Sequence, residues 1–176
     1  MGAGKSEALE AFRRHGAAVL SADEVVHELY AGDAEVKAAL DERFGTTDRG
    51  RIADVVFGDP AELAWLEQLL HPRVRESYAT WLGGVDADVA VVEIPLLYET
   101  GADALFDAVV VITAPEEIRA ERRGESVSER SSRLIPDDVK VGKADFAYTN
   151  DGSLEGLDAF VQAVLARLRT DTESDT

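Results

Sequence analysis

Two kinds of hydrophobic pattern alternate along this chain. Short continuous apolar runs occur at Ala17–Leu20, at Val89–Ile94 (VAVVEI) and within Asp107–Thr113 (DAVVVIT). Runs of this length, apolar at consecutive positions, suit strands covered on both faces of a parallel sheet. Asp145–Thr149 reads as another short strand, closed by the turn signal Asn150-Asp151-Gly152. Between these runs the apolar positions recur at helical spacing. Ser6–Arg14 places Ala8, Leu9 and Phe12 on one face, with Gly16 as a stop, and Leu154, Leu157, Phe160, Val161, Val164, Leu165 and Leu168 mark a long amphipathic helix near the end.

The stretch from about 24 to 82 reads as almost wholly helical. Val25–Tyr30 and Val36–Phe44 carry helical patterns, and Asp59-Pro60-Ala61-Glu62 signals a further start. There the aspartate caps, the proline fits the first turn and the glutamate reaches back. That helix carries Leu63, Leu66, Leu69 and Leu70 and is expected to end near His71-Pro72, with another helix running to about Leu82. Strands alternating with helices imply an α/β fold with a parallel sheet, the helical stretch being an insertion at one end of it. Ligands in such folds bind at the C-terminal ends of the strands.

A chain of 176 residues is long enough for one domain with a sizeable core. It has no apolar run of membrane-spanning length, no signal-peptide pattern and no cysteine, so a cytoplasmic protein without disulfides or thiolate chemistry is the expectation. A net charge of −17 argues against a nucleic-acid partner. The charge is uneven: residues 119–143 hold seven basic against five acidic residues, while the remainder holds 11 and 30. That segment is either an exposed helix of mixed charge or a contact for a compact anion. The last residues, 171–176 (DTESDT), look like a disordered acidic tail.

Gly2-Ala3-Gly4-Lys5-Ser6-Glu7 carries the most chemistry. In a phosphate-binding loop, glycines let backbone N–H groups turn inward, a lysine reaches the β- and γ-phosphates, and the next hydroxyl helps hold Mg²⁺. The following helix points its positive end at the same anions. Gly4-Lys5-Ser6 opening an amphipathic helix meets the downstream half of that pattern; the first glycine would lie one place before Met1. The same residues also fit the loose N-myristoylation pattern on Gly2. Asp23 follows the first apolar run, where a carboxylate could take the proton of an attacking hydroxyl or could simply cap the helix Glu24–Tyr30. His15, His27 and His71 have no ligand-like spacing to one another. Glu93 and Glu99 flank the sharp exit of the Val89–Ile94 strand.

In order along the chain, GAGKSE at 2–7, LSAD at 20–23, VFGDP at 56–60, LLHPRV at 69–74, IPLLYE at 94–99, VVVITAPEE at 109–117 and KADFAYTNDG at 143–152 resemble the dephospho-CoA kinase family. The resemblance implies a three-layer P-loop kinase fold and transfer of phosphate from ATP to the ribose 3′-hydroxyl of dephospho-CoA. It implies ATP and Mg²⁺ as co-substrate and metal, no membrane partner, and a monomer or small homo-oligomer. Gly2, Ala3, Gly4, Lys5, Ser6 and Glu7 would hold the ATP phosphates, with Ser6 on Mg²⁺ and Lys5 also catalytic. Asp23 matches the family's catalytic base, and His71 and Glu99 fall on the acceptor side. Arg122 and Arg130 would act from a lid over ATP, and Asn150 and Gly152 would lie against adenine. The corresponding division is a nucleotide-binding core (1–23, 84–118, 144–170), an acceptor-binding insertion (24–83) and a lid (119–143). A related kinase for another hydroxyl acceptor, a non-catalytic nucleotide-binding remnant and a Gly2-anchored peripheral protein are the alternatives.

The chain departs from the family pattern at Ser21, where an aspartate is usual, and at Leu134, where glutamine is usual; the lid and the segment Phe44–Arg49 are shorter. In the family a strand also precedes the loop, inside the sheet. Leaving it out would strand backbone groups on both neighbours, at ~1–3 kcal/mol each against a total stability of ~5–15 kcal/mol. The expectation is therefore a natural start about ten residues upstream, with a chain beginning at Met1 unstable or rearranged.

Overall fold

A computed structural model of the chain describes residues 2–123 and 135–174. It opens with helix α1 (Lys5–Arg14) and strand β1 (Ala18–Ser21). Four helices follow: α2 (Ala22–Gly32), α3 (Ala34–Phe44), α4 (Arg49–Gly58) and α5 (Pro60–Gly84). The chain continues through β2 (Ala90–Glu93), β3 (Val110–Thr113), α6 (Glu116–Arg123), α7 (Asp137–Lys143), β4 (Phe146–Thr149) and α8 (Leu154–Ser174). Two compact units result, one of residues 1–19 and 87–176 and the other of Leu20–Asp86.

The first unit is held by α1 and α8. The periodic residues of both helices meet in one core, where Ala11, Phe12, Val161, Val164 and Leu165 are at most 3 % exposed, and Val19, Val91, Val110 and Phe146 pack onto it from the strands. Burial of such side chains contributes about 1.5–3 kcal/mol each. At one end Asp158 on α8 ties the two helices, accepting from Arg14 at 2.9 Å and meeting His15 Nε2 at 2.9 Å. β3 and β4 are parallel, with Val110 opposite Phe146 and Thr113 opposite Thr149. Asp145 locks the start of this ladder: its backbone N–H donates to the Val109 carbonyl, and its carboxylate accepts from the Val109 N–H.

The strands expected as one sheet form two pairs, β1 with β2 and β3 with β4. A ladder needs strands ~4.8 Å apart, and among the described residues no strand lies between β2 and β3. A cavity of ≈ 150 Å³ opens there instead, walled by Val89–Ile94, by Val109, Val110 and Ile112, and by Leu9 and Phe12 of α1. Lys5 also lines it.

The second unit has its own core of Val36, Leu40, Ile52, Val56 and Leu70. Arg43 grips Glu62 with two hydrogen bonds of 2.8 and 2.7 Å and lies over the Trp65 ring. The expected break at His71-Pro72 does not occur: α5 continues through Pro72 to Gly84. Proline removes the ladder bond to the Gln68 carbonyl and crowds the preceding turn; burial of Leu70 and Tyr78 on either side holds the helix across the gap, and the Arg73 guanidinium donates to the next carbonyl, Leu69, at 2.9 Å. α8 likewise runs to Ser174, into the stretch expected as a disordered tail. Helix propagation is cheap once a turn exists, so it carries on beyond Leu168, which still packs on the core.

Candidate active site

The loop at the start of the first unit depends on two glycines. Gly2 and Gly4 have φ of 81° and 89°, a region closed to most side chains, and they bracket the buried Ala3. α1 begins at Gly4 without any side chain capping it. Its first ladder bond is from the Ala8 N–H to the Gly4 carbonyl, so the N–H groups of Lys5, Ser6 and Glu7 emerge at the helix end with no carbonyl within the helix. They form a concave set of donors at the positive end of a dipole, a ready anion site. The half-buried Lys5 has no carboxylate partner among the described residues, and the Ser6 hydroxyl is exposed. Glu7 is drawn along the helix toward Arg14, 3.5 Å away.

Behind the loop stands Asn150, 4 % exposed, at the end of β4. Its backbone N–H donates to the Thr113 carbonyl, its side-chain amide donates to the Ala3 carbonyl at 3.0 Å, and its Oδ1 accepts from the Gly152 N–H. Gly152 makes this turn at φ 104°. The family resemblance implies adenine contacts for both residues; the bond of Asn150 to the Ala3 carbonyl joins partners 147 positions apart, beyond the reach of any spacing rule.

Glu99 is largely buried after the β2 exit and is engaged within the fold. Its Oε1 accepts from Lys140 Nζ at 2.7 Å and from the Ile135 N–H at 3.1 Å. Burial pushes its pKa up, but the Lys140 ammonium and the N–H donors outweigh that and hold it below the usual carboxylate value. The other oxygen, Oε2, and the neighbouring Tyr98 hydroxyl are buried with no hydrogen-bond partner among the described residues. In sequence Lys140 is one of the seven basic residues of 119–143, and nothing local marks it as the partner of Glu99. Arg119 joins α6 to α7 through Asp137 and donates to the Ala114 carbonyl. Arg122 lies on α6, while Arg130 and Leu134 fall outside the described residues.

Asp23 and His71 belong to the second unit. Asp23 is in the first turn of α2, whose cap position is Ser21, so it is not the helix cap. It is exposed and, among the described residues, no hydrogen bond or ion pair engages its carboxylate. His71 is exposed on α5. Among the described residues no group of three or more acidic, histidine or cysteine side chains is placed to hold a metal, and no helix is long and apolar enough to cross a membrane.

The dephospho-CoA kinase family model matches residues 1–156. The dephospho-CoA kinase of Rhodopseudomonas palustris is 35% identical, the match spanning 94% of this chain and 90% of that one. For the dephospho-CoA kinase of Mesorhizobium japonicum the figures are 36%, 96% and 93%. A crystal structure from Thermus thermophilus superposes with a TM-score of 0.78 at 32% identity, over 96% of this chain and 93% of that one. The dephospho-CoA kinase structure from Campylobacter jejuni, 24% identical, shares the fold with a TM-score of 0.70 over 98% and 94% of the two chains. With agreement along nearly the whole length in both sequence and fold, the chain belongs to the dephospho-CoA kinase family.

Proposed function

We propose that this protein transfers the γ-phosphoryl group of ATP to the ribose 3′-hydroxyl of dephospho-CoA, giving coenzyme A and ADP. The observation that carries the reading is the bare start of α1, where N–H donors gather beside a lysine with no carboxylate partner. Such donors favour the β- and γ-phosphates, and Lys5 adds a charge that follows the phosphoryl group as it moves. Asp23, without a partner among the described residues, is the base: it accepts the 3′-hydroxyl proton as the oxygen attacks phosphorus and ADP leaves.

The donor set suits Mg²⁺ bound chiefly by the nucleotide. This ion keeps most of its shell as water and phosphate and needs only one or two protein oxygens, and the exposed Ser6 hydroxyl supplies one. When bound, Mg²⁺ neutralises charge on the phosphates. Gly2, Ala3, Gly4 and Glu7 complete the loop, Arg122 and Arg130 act over the nucleotide, and Gly152 lies on the adenine side. His71 is an acceptor contact and Glu99 shapes that side from its bond with Lys140. The reaction takes place in the cytoplasm.

ADP release that requires both Mg²⁺ and dephospho-CoA tests the reading. Asp23→Asn is expected to lower kcat by about 10²–10⁴-fold while ATP still binds. ATP binding without turnover of dephospho-CoA would move the assignment to another hydroxyl acceptor.

A further inference from the structure

The buried Asn150 side chain reaches from the end of β4 to the loop before α1. We infer that it is a positioning residue for that loop, acting on the nucleotide's phosphates through the Ala3–Gly4 peptide and not through the adenine. The inference rests on the reading of the loop as an ATP site.

The orientation of the amide is fixed by both its partners. Nδ2 faces the Ala3 carbonyl at 3.0 Å and Oδ1 faces the Gly152 N–H at 3.0 Å, so a flipped amide would set oxygen against oxygen and N–H against N–H. The residue cannot drift either. Its backbone N–H is bound to the Thr113 carbonyl at 2.8 Å, at the end of the β3–β4 ladder. Ala3 and Asn150 are 7 % and 4 % exposed, which leaves water little access to the carbonyl if the amide is removed.

The consequence for the ligand follows from the planar peptide. Among the described residues no peptide bond is cis, so the Ala3 carbonyl and the Gly4 N–H point in opposite directions from one plane. Holding the carbonyl back toward Asn150 therefore aims the Gly4 N–H the opposite way, and the inferred role requires it to join the N–H groups of Lys5, Ser6 and Glu7 there. Glycines at 2 and 4 leave that peptide easy to rotate, with φ of 81° and 89° on either side of Ala3. One side-chain amide sets the rotation.

The test uses the full chain, with ATP and inorganic tripolyphosphate titrated into the wild type, Asn150→Ala and Asn150→Asp, and a thermal melt of each. In Asn150→Ala, both ligands are expected to bind about tenfold more weakly, as for a lost buried hydrogen bond, while the KM for dephospho-CoA is unchanged. Asn150→Asp separates positioning from mere bulk. An ionised carboxylate only accepts and would face the Ala3 carbonyl, whereas its protonated form can donate. Its affinity for both ligands, taken relative to the wild type, should improve as pH falls, and that of Asn150→Ala should not. Loss of ATP affinity with tripolyphosphate binding intact would overturn the inference in favour of an adenine contact. A lower melting temperature with both affinities unchanged would overturn it in favour of a purely structural role, and a wild type that binds neither ligand would overturn it together with the reading of the loop as an ATP site. Wild-type binding of both ligands without phosphorylation of dephospho-CoA would instead count against the proposed reaction alone.

Discussion

Helices in this molecule begin in two ways. α3, α4 and α5 each start on an aspartate that accepts from the free N–H groups: Asp33 from Glu35 and Val36, Asp48 from Arg51, and Asp59 from Ala61 and Glu62. α1 and α2, which carry Lys5 and Asp23, have no side-chain cap. A capped end has spent its donors on stability, at about 1 kcal/mol per cap. An end left open forgoes that and keeps donors and dipole available to something that is not part of the chain. Within the insertion α3, α4 and α5 are thus stabilised at their starts, whereas α1 leaves its first N–H groups open beside Lys5.

The contrast is sharpest at Lys5. Lys5→Ala is expected to reduce kcat/KM by about 10²–10³-fold, the scale for removing one group that stabilises transition-state charge. With no carboxylate partner lost, the melting temperature should stay nearly constant. A large fall in melting temperature with little change in rate would reverse the assignment of roles. Asp59→Ala should do the opposite, lowering stability by about 1 kcal/mol in chemical denaturation and leaving ATP affinity unchanged.

The smallest effect is expected where the first unit spends a carboxylate on helix packing. Hydrogen bonds from Arg14 and His15 lower the Asp158 pKa from 3.8 to about 2. Because the folded value lies below the unfolded one, the stabilisation is full above the unfolded pKa and disappears as pH falls through the folded one. Wild type and Asp158→Asn should therefore differ in melting temperature above pH ~4 and converge toward pH ~2. A gap that persists at the acid end would locate the effect in packing, not charge.

What could be read in the sequence was what local chemistry determines. Continuous apolar runs gave β2 and β3, and Asp59-Pro60 gave the start of α5, because a cap and a first-turn proline act within four residues. Gly4-Lys5-Ser6 gave the loop for the same reason. The run of α5 through Pro72 is not legible in this way, because the turns on either side are held by burial of Leu70 and Tyr78, a matter of tertiary packing. The bonds of Glu99 to Lys140 and of Asn150 to Ala3 join segments distant in sequence, so no spacing rule could have revealed them. The separation of the strands into two pairs is equally a matter of tertiary arrangement.

The cavity between β2 and β3 leaves facing side chains of the two strand pairs without partners across it, so the dispersion that a filled space would supply is forgone there. Its wall is apolar except for Glu93 and Lys5, whose polar groups give water a foothold. A seam loosened in this way runs beside Lys5.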